Sequence, residues 1–352
     1  YAAAQKTFDE VALKNENVST LKSDSEYYAA MCAVKLNQVE AEKKVLSFVE
    51  NNPNSNKKED AFLNVGNYYF TNKKAAYALK WYGKVNQNSL SIRKRQELNF
   101  KMGYSLLVTG NLKLAQKKFL PLMNTQEYGN QSKYYYGFIA YKQEDYDTAE
   151  KHLTEVANQD SYSGEVTYYL LDISFKGGRF EQCIEIGEKL LADPKQKERS
   201  DISKIVGESY FNLKKYKEAI SLLRAYKGKR GKWNNTDYYL LGYAYYKQND
   251  FENAVSNFNK IIGEKDKVSQ NAYYHLAESY LYLEKKPEAL NAFKSASEMD
   301  FDAKIKEDAA LNYAKLSYET GNPYKSVADV LQDFLKAYPK SPHQAEVNQL
   351  IV

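Results

Sequence analysis

Three histidines and two cysteines carry the readiest chemistry in this sequence, and their placement argues against a reaction centre. His152, His275 and His343 lie far apart, and none stands with Cys, Asp or Glu at the short spacings that a zinc site needs. Cys32 and Cys183 are equally separated; each falls at a small-residue position of the pattern described below and reads as a buried free thiol. The chain has neither a phosphate-cradling glycine loop nor a nucleophile elbow, and Gly177-Gly178 reads as a turn between helices. The expectation is therefore no enzyme, no metal and no cofactor. What remains is the chemistry of adhesion. Tyrosine occurs 33 times, and its ring offers a large apolar face at low entropy cost with a hydroxyl left to orient a partner.

Tyrosines can form a surface only if regular elements place them on one face. The stretch Tyr238–Ile262 shows how this happens. It reads as two short amphipathic helices joined by a Gln248-Asn249-Asp250 turn, with small residues Gly242 and Ala254 where the helices meet and Tyr245, Phe251 and Phe258 around them. The same arrangement returns along the chain. Small residues of the second helices stand at Ala4, Ala41, Ala78, Ala115, Ala149, Cys183, Ala219, Ala254, Ala289 and Val327. Twelve residues earlier come Ala29, Gly66, Gly103, Gly137, Gly207, Gly242 and Ala277, with Leu171 as the exception and Ala314 thirteen residues before Val327. Small residues let two helices approach closely. Four residues after most of them comes a larger apolar group on the same face, such as Tyr82, Phe119, Leu153, Leu223 or Phe258. Gly110-Asn111, Glu144-Asp145, Gly178-Arg179 and Asn249-Asp250 are turn chemistry, and Asn52-Pro53, Asp193-Pro194 and Tyr338-Pro339 end helices. At the exception, either Leu171 fills the room left by Cys183 and Gly187, or Gly187 makes a weak joint.

This small–small–aromatic–proline pattern resembles that of tetratricopeptide repeat proteins over essentially the whole chain, at their ~34-residue period. The resemblance implies an all-α, right-handed superhelical solenoid of antiparallel helix pairs: a single array over residues 1–352, with a half repeat at 1–14, about nine repeats over 22–341 and the start of a further helix at 343–352. Neither end reads as capped, which predicts a piece of a longer array able to self-associate through its ends. The segments Phe334–Glu346 and Phe48–Ala61 and the Tyr-, Lys- and Asn-rich composition resemble long repeat proteins of the bacterial, Bacteroidetes-type cell envelope. A periplasmic or outer-membrane-associated location follows from that resemblance, although YAAAQKTFDE at the start has neither the basic nor the apolar region of a signal peptide.

In such arrays the first helices line the concave face. The inward positions in the first part are Phe100, Tyr104, Tyr134, Phe138, Tyr141, Tyr168, Asp172 and Phe175. Later come Tyr239, Tyr243, Tyr246, Tyr274 and Glu278. The expected function is a non-catalytic scaffold that binds protein or peptide on this strip, with Asp172 and Glu278 selecting a basic or hydrogen-bond-donating ligand. Exposed Tyr and Trp faces would also suit a glycan or cell-wall polymer, which is the alternative. A carboxylate clamp for acidic chaperone tails is disfavoured, because only Lys204 is basic at an inward position and Glu208 follows it. The net charge of +5 is too balanced for a nucleic-acid footprint; Arg93-Lys94-Arg95 and Lys227–Lys232 read as solvated charge. No apolar run approaches the ~20 residues that span a bilayer.

Overall fold

The computed structural model describes residues 1–15, 19–159, 161–193, 199–261 and 265–351. These residues form twenty α-helices and no strand, apart from one isolated bridge between Lys229 and Lys232. The chain divides into two compact units, Tyr1–Val166 and Thr167–Val352. In the first unit lie α1 (Ala2–Lys14), α2 (Ser19–Lys35), α3 (Ala41–Asn51), α4 (Lys58–Thr71), α5 (Ala75–Tyr82), α6 (Ile92–Val108), α7 (Leu112–Phe119), α8 (Gly129–Lys142) and α9 (Tyr146–Thr154). The division falls within α10 (Ser163–Lys176). The second unit continues with α11 (Phe180–Ala192), α12 (Ser200–Asn212), α13 (Tyr216–Ala225), α14 (Asn235–Lys247), α15 (Phe251–Phe258) and α16 (Lys267–Tyr282). It ends with α17 (Lys286–Ser297), α18 (Ala303–Thr320), α19 (Val327–Ala337) and the six-residue α20 (Gln344–Gln349).

The helices come in pairs, as the small-residue pattern predicts, but the close partner of each glycine is not the small anchor. A Cβ placed on Gly66 would lie 2.4 Å from the Tyr82 ring, on Gly103 2.9 Å from Phe119, on Gly137 2.9 Å from Leu153, and on Gly242 2.8 Å from Phe258. In every case the partner stands sixteen residues on. A large side chain of the second helix thus lies directly over a glycine of the first, and the anchors Ala78, Ala115, Ala149 and Ala254 are fully buried one turn away. The α10–α11 pair keeps the spacing and reverses the sizes. Leu171 faces Gly187, whose added Cβ would lie 3.5 Å from Leu171 Cδ1 and 2.1 Å from Val206 Cγ2 of α12. Leucine therefore does enter the room left by Gly187, together with Val206. Cys32 and Cys183 are both buried free thiols.

The turns within pairs are alike. Lys73, Gly110, Glu144, Gly178, Lys214, Asn249 and Glu284 all have φ between +58° and +82°. The next residue donates its N–H to the carbonyl five residues back, as Asp145 does to Ala140 and Asp250 to Tyr245 at 3.0 Å. This is the left-handed helix stop, built here mostly without glycine. Between pairs, α3 stops at Asn51 before Pro53 and α19 at Ala337 before Pro339; Pro194 lies outside the described residues. Fully buried Gln270 of α16 closes one such connection: its amide donates to the carbonyls of Ala296, Met299 and Asp302 and accepts from Asp302 N–H at 2.7 Å.

First helices of successive pairs also pack on one another, α2 on α4, α4 on α6 and α6 on α8 in the first unit, and α12 on α14, α14 on α16 and α16 on α18 in the second. Second helices pack mainly on the first helices to either side. At the two ends of the chain, Phe8 stacks on Tyr28 with ring centres 5.3 Å apart, Leu350 packs against the α18–α20 core, and Ile351 is exposed. No helix of the described residues is long and apolar enough to cross a membrane.

Candidate functional site

The inward positions fall four and then three residues apart on each first helix, as in Tyr134, Phe138 and Tyr141 of α8 or Tyr239, Tyr243 and Tyr246 of α14. That spacing lays them along one stripe of a helix. Because successive first helices touch, stripes on adjacent helices meet.

In the first unit the structure brings the aromatic residues of α6 and α8 together. Phe100 stacks on Tyr128 at 4.9 Å and meets Phe119 edge-on at 5.9 Å. Tyr104, at 36% exposure the most open of the strip, meets Phe70 and Tyr135 edge-on. Tyr134 is buried; it stacks on Tyr162 at 4.6 Å and donates its hydroxyl to Glu165 at 2.7 Å. Phe138 lies parallel to Tyr134 under the ammonium of Lys142, and Tyr141 leans on Tyr146. The centre of the cluster is Tyr135, which the inward spacing missed. Its ring contacts Phe100, Tyr104, Phe119 and Tyr134, and burial pushes its hydroxyl up to about 12.

In the second unit Tyr168 is covered by the guanidinium of Arg199, 3.8 Å from the ring centre. Burial first, and then Asp201, push its hydroxyl up to about 12. Asp172 pairs with Lys176 at 2.9 Å, and Phe175 meets Phe180 edge-on. The denser cluster lies on α14 and α16. Tyr243, Tyr246, Tyr274 and Tyr239 surround the His275 ring at 4.9, 5.1, 5.4 and 6.4 Å between centres. His275 Nδ1 lies 2.9 Å from Glu278 Oε2. His275 was legible only as a lone histidine; its spacing of three from Glu278 is the one cue that the two meet. Burial raises the tyrosine hydroxyls here, with the Glu278 charge adding to the effect at Tyr243, Tyr246 and Tyr274, the last reaching about 12. These hydroxyls keep their protons at neutral pH and can donate.

Two details differ from expectation. Glu278 already has partners in His275 and Tyr246, and Asp172 has one in Lys176, so neither carboxylate stands open as a selector. Neither indole stands among the inward rings that would suit a sugar: Trp81 is fully buried, and Trp233 is half-buried against Tyr226 and Tyr238. Lys204 is taken up internally, donating to Asp237 with Glu208 at 3.6 Å. Among the described residues no group of three or more His, Cys, Asp or Glu could hold a metal ion. What the geometry offers is a firm, half-buried aromatic face whose rings brace one another.

A family model described as tetratricopeptide repeat matches residues 274–342. A second, described as anaphase-promoting complex, cyclosome, subunit 3, matches residues 224–296. No curated protein matches the chain. Among solved structures, a point mutant of MamA is 24% identical, covering 49% of this chain and 97% of its own, with a TM-score of 0.43. A tetratricopeptide repeat protein from Parabacteroides merdae is 14% identical, covering 83% and 98%, with a TM-score of 0.40. Naa15/Naa10 bound to HypK-THB gives 14% identity, coverage of 98% and 62%, and a TM-score of 0.45.

Proposed function

Because the chain is a tetratricopeptide repeat protein, we propose that it is a non-catalytic scaffold holding a protein or peptide partner against the aromatic face of its first helices. Proteins of this repeat family are in general protein-interaction scaffolds. The observation that carries the reading for this chain is the ring cluster of α14 and α16. Tyr239, Tyr243, Tyr246 and Tyr274 are half-buried, packed around His275. A partner that lands on braced rings freezes few side chains, so little of the contact energy is lost to ordering. Tyrosines in such settings are the usual hot spots, where truncation costs ~2 kcal/mol or more. The proposed location is the bacterial cell envelope, periplasmic or outer-membrane associated; it rests on composition and on the segments Phe48–Ala61 and Phe334–Glu346.

Tyr243→Ala with Tyr246→Ala, checked for helicity by circular dichroism, is expected to lower capture of protein partners from an envelope extract by at least ~30-fold. Substitution of exposed second-helix residues such as Lys113 and Lys217 is expected to leave capture unchanged. The reverse pattern would move the binding face to the second helices. An oligosaccharide array probed in parallel distinguishes a glycan ligand, since saturable sugar binding lost in the tyrosine variant would replace the peptide reading.

A further inference from the structure

We propose that the groove over α14, on the side away from the aromatic strip, is a second binding site and that it takes an acidic segment of a protein partner. The groove, 620 Å³ in volume, lies between α13 and α15. Its floor is Leu241 and Tyr245 of α14, both buried. Its rim carries Arg224 of α13, Trp233, and Lys260 in the turn after α15, whose ammonium lies 5.5 Å from the centre of the Tyr238 ring. Trp233 is fixed by a hydrogen bond from its indole N–H to the carbonyl of Tyr226 at 2.9 Å and by the flanking Tyr226 and Tyr238 rings. The loop leading into it, Lys227–Lys232, is a shaped turn. Gly228, Arg230 and Gly231 have φ of +83°, +55° and +77°, and a Cβ on Gly228 would lie 2.5 Å from the Lys232 backbone. Among the described residues neither Arg224 and Lys260 nor the four cations of this loop form an ion pair with a carboxylate.

The next two grooves along the unit do not share this charge. Over α16, Asn259 and Ser295 stand where Arg224 and Lys260 do, and Glu288 lines the wall. Over α18, Lys294, Lys306 and Lys325 are each neutralised, by Glu298, Asp300 and Asp333. A positive field that the next two grooves lack suits a short run of carboxylates. A nucleic acid draws its affinity from many phosphates in succession, and the next two grooves, one lined by Glu288 and the other with its lysines paired, would not extend such a track. The aromatic wall of Trp233 and Tyr238 would cover the apolar parts of such a segment.

The test is a titration of the full chain with an acetylated dodecapeptide of alternating Glu and Leu, followed by Trp233 fluorescence and by anisotropy of labelled peptide. Saturable binding is expected. It should weaken at least about tenfold in Arg224→Glu/Lys260→Glu and fall as salt rises from about 0.05 to about 0.5 M. The same peptide with Gln for Glu should not bind, and Tyr243→Ala/Tyr246→Ala should bind as the parent does. No saturation, no response to charge reversal, or loss of binding in the tyrosine variant would each overturn the proposal. So would a single-stranded oligonucleotide of equal charge binding more tightly through Arg224 and Lys260. Because the site lies on another face, its failure leaves the aromatic strip untouched.

Discussion

The pairs α14–α15 and α10–α11 solve one packing problem in opposite ways. In the first, Gly242 lies beneath Phe258, with 2.8 Å between an added Cβ and the ring. In the second, Leu171 stands in the glycine position and Gly187 in that of the large residue, at the same separation of sixteen. Two helices at this distance need one large and one absent side chain at the crossing, and either helix can supply either. The reversed order has a consequence for the next pair. A glycine on the second helix leaves a space that α12 can reach, and Val206 enters it. The α10–α11 pair is thereby keyed to its successor by the residue that makes it irregular.

The sharpest way to break this comparison is to remove the large partner. Leu171→Ala leaves a small residue facing Gly187 in a fully buried site and is expected to cost about 3 kcal/mol. Gly242→Ala presses a methyl into the Phe258 ring and should cost about 2 kcal/mol. Gly187→Ala should also destabilise, because the contact with Val206 outweighs the ~1 kcal/mol gained in helix propensity. Urea unfolding followed by helicity ranks the three. A Gly187→Ala variant more stable than the parent would show that Val206 yields freely and that the two pairs are not equivalent.

A second effect separates the same regions by pH. Tyr239, Tyr243, Tyr246 and Tyr274 all have raised hydroxyls on α14 and α16, against Tyr168 on α10 at about 12. A phenol raised above its unfolded value of about 10 holds its proton longer in the native state. Its contribution is present in full below pH 10 and is lost as pH rises through the folded value. The unfolding temperature should therefore fall steeply above about pH 10. Tyr239→Phe should flatten that fall more than Tyr168→Phe does, and equal flattening would show that burial at the two places is alike.

The smallest effect lies in the turns. The two pairs turn through Asn249 at φ +59° and Gly178 at φ +69°. Gly178→Ala should cost about 1 kcal/mol, since the left-handed conformation burdens an ordinary side chain. Asn249→Gly should move stability by no more than about 0.5 kcal/mol, because asparagine tolerates that region. A thermal melt of each variant checks both, and a larger shift at Asn249 would mean that its side chain holds the turn in some other way.

What the sequence determined by itself was everything that depends on neighbours along the chain. Helix pairs, their turns and the reversed sizes at Leu171 follow from the 3.6-residue period and from one unit repeating at nearly constant length, so spacing alone carried them. It also put Tyr134, Phe138 and Tyr141, and likewise Tyr239, Tyr243 and Tyr246, on one side of their helices. Tyr135 and His275 escaped because each stands beside an inward residue, Tyr134 or Tyr274, and a rotation of part of a turn decides which ring reaches the centre. Only the tertiary structure decided what each polar or aromatic group meets across thirty or more residues. Lys204 meets Asp237, Tyr134 meets Glu165, Lys286 meets Glu319, and Trp81 is fully enclosed. The same holds for charge: Lys294 and Arg224 line equivalent grooves, yet one is paired with Glu298 and the other makes no ion pair among the described residues. Periodicity sets which face a side chain leaves from, while its partner is set by where the next helix crosses, and that crossing is fixed only when the large and small residues of both helices are in place.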